Sequence, residues 1–455
     1  MAAAAVEEEL SFDTDKLSYE IFSMLESKFL FGYDDTKLWV PAAPPLTASS
    51  AVLPVAAAAD SVKSQRGKVC VLCIDGGGGC GMLGILPGKV LAYLEHALKS
   101  KSGDPNARIS DYFDVAAGTG VGGVLAAMLF ATRDGALPLF CADDTWRFFA
   151  DRGERLFRKA SPSPSSSGFL RCLFPGGGGS TTAATERAMK EVFGEDLTLR
   201  DTVNYDLRTR ASTSDCGRCA GPHGPSFGGS SRRRSARWTE PPPAAPWAEL
   251  RRFEPAEISS VDGATSCVAV DGGLAMSNPA AAAITHVLHN KQEFPFVRGV
   301  EDLMVLSLGC GEMAETEHLK LGRWGPMQGA RPIARIAADL VDHAVALAFG
   351  QCRSSNYVRV QASGWSTGMC SVDASPGNVK ALSEAAEEMV RQKNVESVLF
   401  GGKRISEQTT MEKLDWFAGE LVVEHQRRNC RIAPSVAFKQ AVTKSSSMTS
   451  LSQAI

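Results

Sequence analysis

Three short stretches of this chain set glycines beside residues that can do chemistry. The first, Gly118-Thr119-Gly120-Val121-Gly122-Gly123, has the spacing of a GxSxG nucleophile elbow with glycine at the central position. In such an elbow the central side chain stands on a tight strand-to-helix turn, and the flanking glycines let strand and helix approach closely. The second, Asp75-Gly76-Gly77-Gly78-Gly79-Cys80-Gly81, places consecutive glycines ahead of a helical pattern. Their clustered N–H groups and the helix dipole favour a phosphate or an oxyanion. The third, Asp271-Gly272-Gly273, ends the apolar run Cys267–Val270 with a carboxylate and leads to Asn278 and Pro279, an N-cap and first residue for a helix. A carboxylate base, a cradle of N–H donors and an elbow are the parts of an acyl-transfer site. Here the elbow carries no hydroxyl at position 120.

Each stretch read alone has a blander meaning. The elbow could be an ordinary tight turn of an α/β protein, and an Asp-Gly-Gly turn is more often structural than catalytic. Gly76-x-Gly78-x-x-Gly81 also fits a dinucleotide fingerprint, with Glu95 near the place of a ribose-binding acid. No Lys-Ser or Lys-Thr follows these glycines, which argues against a P-loop. Cys216-x-x-Cys219 stands without a second pair at zinc-ribbon spacing, so the chain is expected to hold no metal.

The elements that must position these residues alternate between strand and helix. Val69–Ile74 is a continuous apolar run that reads as a buried strand, followed by a helical pattern at Leu86, Val90, Leu91, Leu94 and Leu98. Tyr112–Ala117 reads as a second strand, and Val124–Phe130 as a helix buried on most sides. A helix containing Trp146, Phe148 and Phe149, a strand over Leu303–Gly309, and helical patterns over Ile333–Phe349 and Asn378–Val390 complete an α/β alternation.

In this order, the glycine loop, the glycine elbow and the Asp-Gly-Gly turn resemble the patatin-like acyl hydrolases over residues 70 to 310. The stretches Tyr19–Leu30 and Ala282–Leu308 are similar to plant patatin-like proteins of the subgroup whose elbow reads GxGxG. The resemblance implies a three-layer α/β fold with a central, mostly parallel sheet flanked by helices. It also implies a serine–aspartate dyad without histidine, with Gly120 at the serine position, Asp271 as general base, and Gly77 and Gly78 as the oxyanion hole. The implied activity is that of a non-specific lipolytic acyl hydrolase, a carboxylic ester hydrolase of phospholipids and galactolipids that needs no cofactor and serves lipid degradation and plant defence. Without a serine, three sources of attack are open: the Thr119 hydroxyl, a water held by Asp271, or a serine from a loop. The water route ranks first, because it needs only Asp271. The alternative is a lipid-binding or regulatory protein that has lost turnover.

Two departures from the family stand out. Cys80 occupies a position where Arg or Lys is usual, removing a positive charge beside the oxyanion hole. Residues 207–260, rich in Arg, Pro and Gly, lack the apolar periodicity of buried strands and look like a gene-model artefact.

The chain has 455 residues, 44% hydrophobic content and a net charge of −3, which suit one large α/β core and argue against a nucleic-acid partner. Of the twelve cysteines, Cys70, Cys73 and Cys267 fall inside strand patterns and read as buried thiols. The expected organisation is a helical segment at 1–40 (amphipathic over 14–31), a linker at 41–66 and a patatin-like domain at 67–310. A helical extension at 311–435 and a disordered tail at 436–455 follow. No basic region precedes an apolar one at the N-terminus, and no stretch reaches the roughly 20 apolar residues of a span. The expected location is cytoplasmic, with peripheral contact to membrane lipids.

Overall fold

The protein is described here by a computed structural model covering residues 67–76, 80–133, 137–157, 187–194, 219–221, 224–226, 256–259, 266–269, 276–311, 330–350, 356–361, 370–371, 373–398 and 402–430. Among these residues the strands are β1 (Val69–Ile74), β2 (Val115–Gly118), β3 (Cys219–Gly221), β4 (Gly224–Ser226), β5 (Ala256–Ser259), β6 (Ser266–Ala269), β7 (Leu303–Leu308), β8 (Tyr357–Val360), β9 (Lys393–Val398) and β10 (Gly402–Thr409). The longer helices are α1 (Ile85–Ser102), α2 (Val121–Phe130), α3 (Ala142–Phe157), α4 (Ala280–His289), α5 (Ala330–Gly350), α6 (Pro376–Arg391) and α7 (Thr410–Cys430).

Four strands form the main sheet in the order β2-β1-β7-β8, all parallel. β1 is apolar and buried at every position, as a strand covered on both faces must be. Its side chains alternate between two cores. Cys70, Leu72 and Ile74 pack with residues of α1, α2, α3, α6 and α7. Val69, Val71 and Cys73 pack with Ala283 and Val287 of α4 and Val345 and Phe349 of α5. The result is three layers, helix on sheet on helix, as the resemblance implies. α2 has no exposed face: all its residues are buried, in keeping with a helix that is apolar all round.

Several expectations are refined. Tyr112 ends a short helical turn (Ile109–Tyr112) rather than starting a strand, because the Asp111 carboxylate accepts from the Arg108 N–H at 2.8 Å and caps that turn. β2 begins at Val115. A 3-10 turn, Gly81–Gly84, separates the glycine loop from α1. The strand before Asp271, β6, pairs antiparallel with β5 in a ladder outside the main sheet. The 207–260 stretch, expected to supply no buried strands, contains the short β3–β4 ladder and β5. Such ladders need only local pairing, with no long apolar alternation. The 311–435 extension is not helical throughout: it supplies β8 to the main sheet and the antiparallel pair β9–β10. The 1–40 segment, the 41–66 linker, Cys216, Val270 and the 436–455 tail lie outside the described residues. Cys70 and Cys73 are buried cysteines.

The C-terminal helix ties the start of this sheet together. The Arg428 guanidinium of α7 donates to both carboxylate oxygens of Asp114, with Nη1 at 2.8 Å from Oδ1, and to the Lys68 carbonyl at 2.9 Å. Asp114 in turn accepts from the Cys70 N–H at 2.9 Å. One ion pair thus joins the entries of β1 and β2 to a helix far along the chain. A buried pair of this kind adds little over an apolar packing, but removing one partner strands the other charge. Arg428→Met is therefore expected to destabilise the protein by about 3–5 kcal/mol in urea unfolding, and Asp114→Leu combined with Arg428→Met by less than Arg428→Met alone.

Candidate active site

The candidate site lies at the C-terminal ends of β1 and β2, where open α/β sheets place their ligands. β2 ends at Gly118, Thr119 follows, and Gly120 turns the chain with φ 51° and ψ −125° before α2 begins at Val121. That conformation is strained for a residue with a Cβ, and it is where an elbow puts its nucleophile. Gly120 is thus built as the apex of an elbow.

The close approach of the two glycine turns is backbone on backbone. A Cβ on Gly122 would lie 2.2 Å from the Ile74 carbonyl oxygen and 2.6 Å from that of Asp75, and one on Gly76 would lie 2.1 Å from the Gly122 nitrogen. The Thr119 N–H donates to the Ile74 carbonyl at 3.2 Å, and the Val121 N–H to the Gly76 carbonyl at 3.4 Å. The glycine loop therefore begins directly against the elbow. Its residues Gly77, Gly78 and Gly79 lie outside the described residues, as do Asp271, Gly272 and Gly273.

The chain just after the Asp-Gly-Gly turn is fastened to the elbow. The Thr119 hydroxyl donates to the Ser277 carbonyl at 2.9 Å. Asn278 accepts from the Ala280 N–H at 2.9 Å just ahead of α4, and its amide reaches the Ala338 carbonyl of α5 at 3.4 Å. The helix starts at Ala280, one residue later than the sequence suggests. Thr119 is fully buried, and its proton is committed to a carbonyl. It is a strut for the elbow rather than a substitute nucleophile.

At the root of the glycine loop lies an ionic cluster that residue spacing gives no warning of. Asp75 Oδ2 meets Arg359 Nη2 of β8 at 2.6 Å, and both side chains are almost fully buried. Arg359 Nη1 donates to the Ser307 hydroxyl of β7 at 2.8 Å, Nη2 reaches Gln361 Oε1 at 3.3 Å, and Nε lies 3.9 Å from Asp342 Oδ1 on α5. Asp342 also accepts from the Tyr357 and Ser397 hydroxyls, each at 2.5 Å. Burial pushes the Asp75 carboxyl up, against the opposing pull of Arg359. Burial works against the Arg359 charge, yet Asp75 and Asp342 hold its pKa above the usual range. Burial, with Asp75 nearby, raises the Cys73 thiol. The one available sign is the pattern Tyr357-Val358-Arg359-Val360, in which a charge interrupts a strand-forming run.

Two other residues singled out in the sequence have structural duties. Glu95 is buried in α1, bound to Lys99 at 2.8 Å, Arg108 at 3.2 Å and the Ala142 N–H at 3.2 Å. It is no free acid for a ribose, so the dinucleotide reading loses its carboxylate. Cys80 is a buried cysteine immediately before the 3-10 turn. Among the described residues no group of His, Cys, Asp and Glu is arranged to hold a metal ion.

Comparison with known proteins points to one family. The family profile described as patatin-like phospholipase matches residues 72–284. Patatin-like protein 7 of Arabidopsis thaliana is 56% identical over 466 residues, covering 97% of this chain and 88% of that relative. Patatin-like protein 3 of Oryza sativa subsp. japonica is 41% identical over 432 residues, covering 91% and 92%. A protein named probable inactive patatin-like protein 9, from Arabidopsis thaliana, is 34% identical over 424 residues, covering 91% and 94%.

The contact at Gly122 can be tested by volume. Main chain on the far side cannot yield as a flexible side chain would, so Gly122→Ala is expected to destabilise by about 1–3 kcal/mol in urea unfolding. Gly377→Ala, where an added Cβ meets nothing within 4 Å, should change stability by less than about 0.5 kcal/mol.

Proposed function

This chain belongs to the patatin-like phospholipase family, and we propose that it is a lipid acyl hydrolase that works without a nucleophilic side chain. The observation that carries the reading is the Gly120 conformation, φ 51° and ψ −125°, between β2 and α2 with the glycine loop packed against it. An ordinary turn has no need of that geometry, whereas an acyl-transfer site does.

In the proposed reaction Asp271 takes a proton from a water molecule, whose oxygen attacks the acyl carbon of a phospholipid or galactolipid ester. Charge develops on the carbonyl oxygen and is received by the N–H groups of Gly77 and Gly78. Collapse of the tetrahedral intermediate breaks the bond to the alcohol oxygen, which takes the proton back from Asp271. Each oxyanion donor is worth about a hundredfold to a thousandfold, and a general base about a hundredfold to ten-thousandfold. Loss of the nucleophile in a serine hydrolase costs about a millionfold. The sum is slow hydrolysis. The lipid is reached by peripheral contact from the cytoplasm; among the described residues no helix is long and apolar enough to cross a membrane.

A second reading is a lipid-binding or regulatory protein that keeps the site and has lost turnover. It is favoured by the Thr119 hydroxyl, which is tied to Ser277 and leaves no hydroxyl free at the elbow.

The deciding experiment is acyl release from phosphatidylcholine vesicles and from galactolipid micelles by the purified chain. Slow release is expected, reduced at least about a hundredfold in Asp271→Asn. Release that ignores Asp271→Asn would remove the water mechanism. No release from the parent chain, with clear release from Gly120→Ser, would establish the binding reading.

A further inference from the structure

A helix lying on a sheet needs one apolar face, and α5 has two. From Ile336 to Gly350 its only polar side chains are Asp339, Asp342 and His343. The inner face, with Ala338, Val345 and Phe349 buried, closes the second core over β1 and β7. The outer face carries Ile336, Leu340, Ala344 and Ala348 at successive i+4 positions, and all four are exposed. Leu340 is 64% exposed and Ile336 40%. Polar residues there would leave the inner packing intact, so the fold itself does not ask for this stripe. A contiguous exposed apolar surface of this kind marks a place of contact.

The stripe lies at the end of the sheet that holds the elbow. α5 runs antiparallel to β8, since Phe349 meets Tyr357 at the start of that strand, with ring centroids 5.6 Å apart, and Asp342 lies 3.9 Å from Arg359 further along it. Ile336 and Leu340 therefore stand toward the C-terminal ends of the strands. Asn278 joins this part of α5 to the candidate site: its amide reaches the Ala338 carbonyl, and the adjacent Ser277 carbonyl holds the Thr119 hydroxyl beside Gly120. The first two turns of α5 also contain Arg331 and Arg335, cations of the kind that lipid phosphates attract. A second copy of the chain is a poorer fit. Two long side chains and two alanines make a strip that is narrow beside the roughly 800 Å² each partner of a stable dimer buries, whereas a lipid interface accepts a single helix stripe.

We propose that the outer face of α5, centred on Ile336 and Leu340, docks on a phospholipid membrane and so brings the elbow end of the sheet to the lipid surface. The choice of lipid as the occupant rests on the hydrolase reading, and the exposed stripe does not. The helix sinks one face into the interface without crossing it; among the described residues no helix is long and apolar enough to cross.

The test uses the full chain and sedimented vesicles of phosphatidylcholine and phosphatidylserine. Ile336→Gln combined with Leu340→Gln should weaken vesicle binding at least about tenfold, because binding scales with the apolar area that enters the interface. Acyl release from vesicles should fall in step, while release from dihexanoyl phosphatidylcholine, dissolved as a monomer, stays within about twofold. Leu340→Trp, which keeps the face apolar, should bind at least as tightly as the parent. Diazirine footprinting should label the tryptic peptide that begins at Ile336 in the lipid-free chain and lose that label when vesicles are added. A parent chain that ignores vesicles, or a double variant that binds them as the parent does, overturns the proposal. So does a peptide already protected without lipid, which would mean that another part of the chain covers the face, or a parent dimer that the double variant dissolves. A double variant that fails to fold leaves the decision to Leu340→Trp and the footprint. A parent that binds vesicles through this face and releases no acyl chain defeats the hydrolase reading alone.

Discussion

The top of the sheet brings two turns of main chain to a separation that admits no side chain. Gly76 and Gly122 face each other there, and the carbonyls of Ile74 and Thr119 stand where their Cβ atoms would be. This contact sets the other features of the site. It fixes the height at which α2 starts, so that Gly120 forms the apex, and it makes the glycine loop leave β1 alongside that apex. The Thr119 strut to Ser277 draws the chain following Asp271 toward the same place. The elbow, Gly76 and Ser277 come from three separate parts of the sequence, and packing brings them to one end of the sheet.

The central strand is pinned at both ends by a carboxylate–guanidinium pair. Asp114 with Arg428 holds the entries of β1 and β2, and Asp75 with Arg359 holds the exit of β1. Both arginines come from the C-terminal part of the chain, beyond the 72–284 span that marks the family. The part of the chain that carries the recognisable motifs is thus held in register by a part that carries none. Loss of β8 or α7 would leave the elbow's sequence untouched and remove the groups that fix β1 at either end.

Much of the frame was legible in the residues. The fully apolar run Val69–Ile74 became β1 with the expected bounds, because a strand buried on both faces has no polar position to blur them. The strand expected over Leu303–Gly309 forms over Leu303–Leu308, and the helix expected over Val124–Phe130 starts three residues earlier, at Val121. The elbow was legible because its glycines are demanded by close approach and by one unusual dihedral pair, both local properties. Arg359 was not, since its partner Asp75 is 284 residues away and no spacing encodes which carboxylate a lone arginine will meet. Tyr112 was misplaced because an Asp111 cap outweighs the strand preference of an aromatic residue. Thr119 illustrates a further limit: its hydroxyl looked available for chemistry until its acceptor, a backbone carbonyl 158 residues away, was located.

The central proposal is that Gly120 stands at the apex of an acyl-transfer site, where a hydroxyl would be placed to react. The most direct measurement is covalent labelling of Gly120→Ser by an alkyl fluorophosphonate, followed by peptide mass spectrometry. The account predicts one phosphonyl group per chain, attached at position 120, and none on the parent protein. A Gly120→Ser protein that melts cooperatively and remains unlabelled would contradict it.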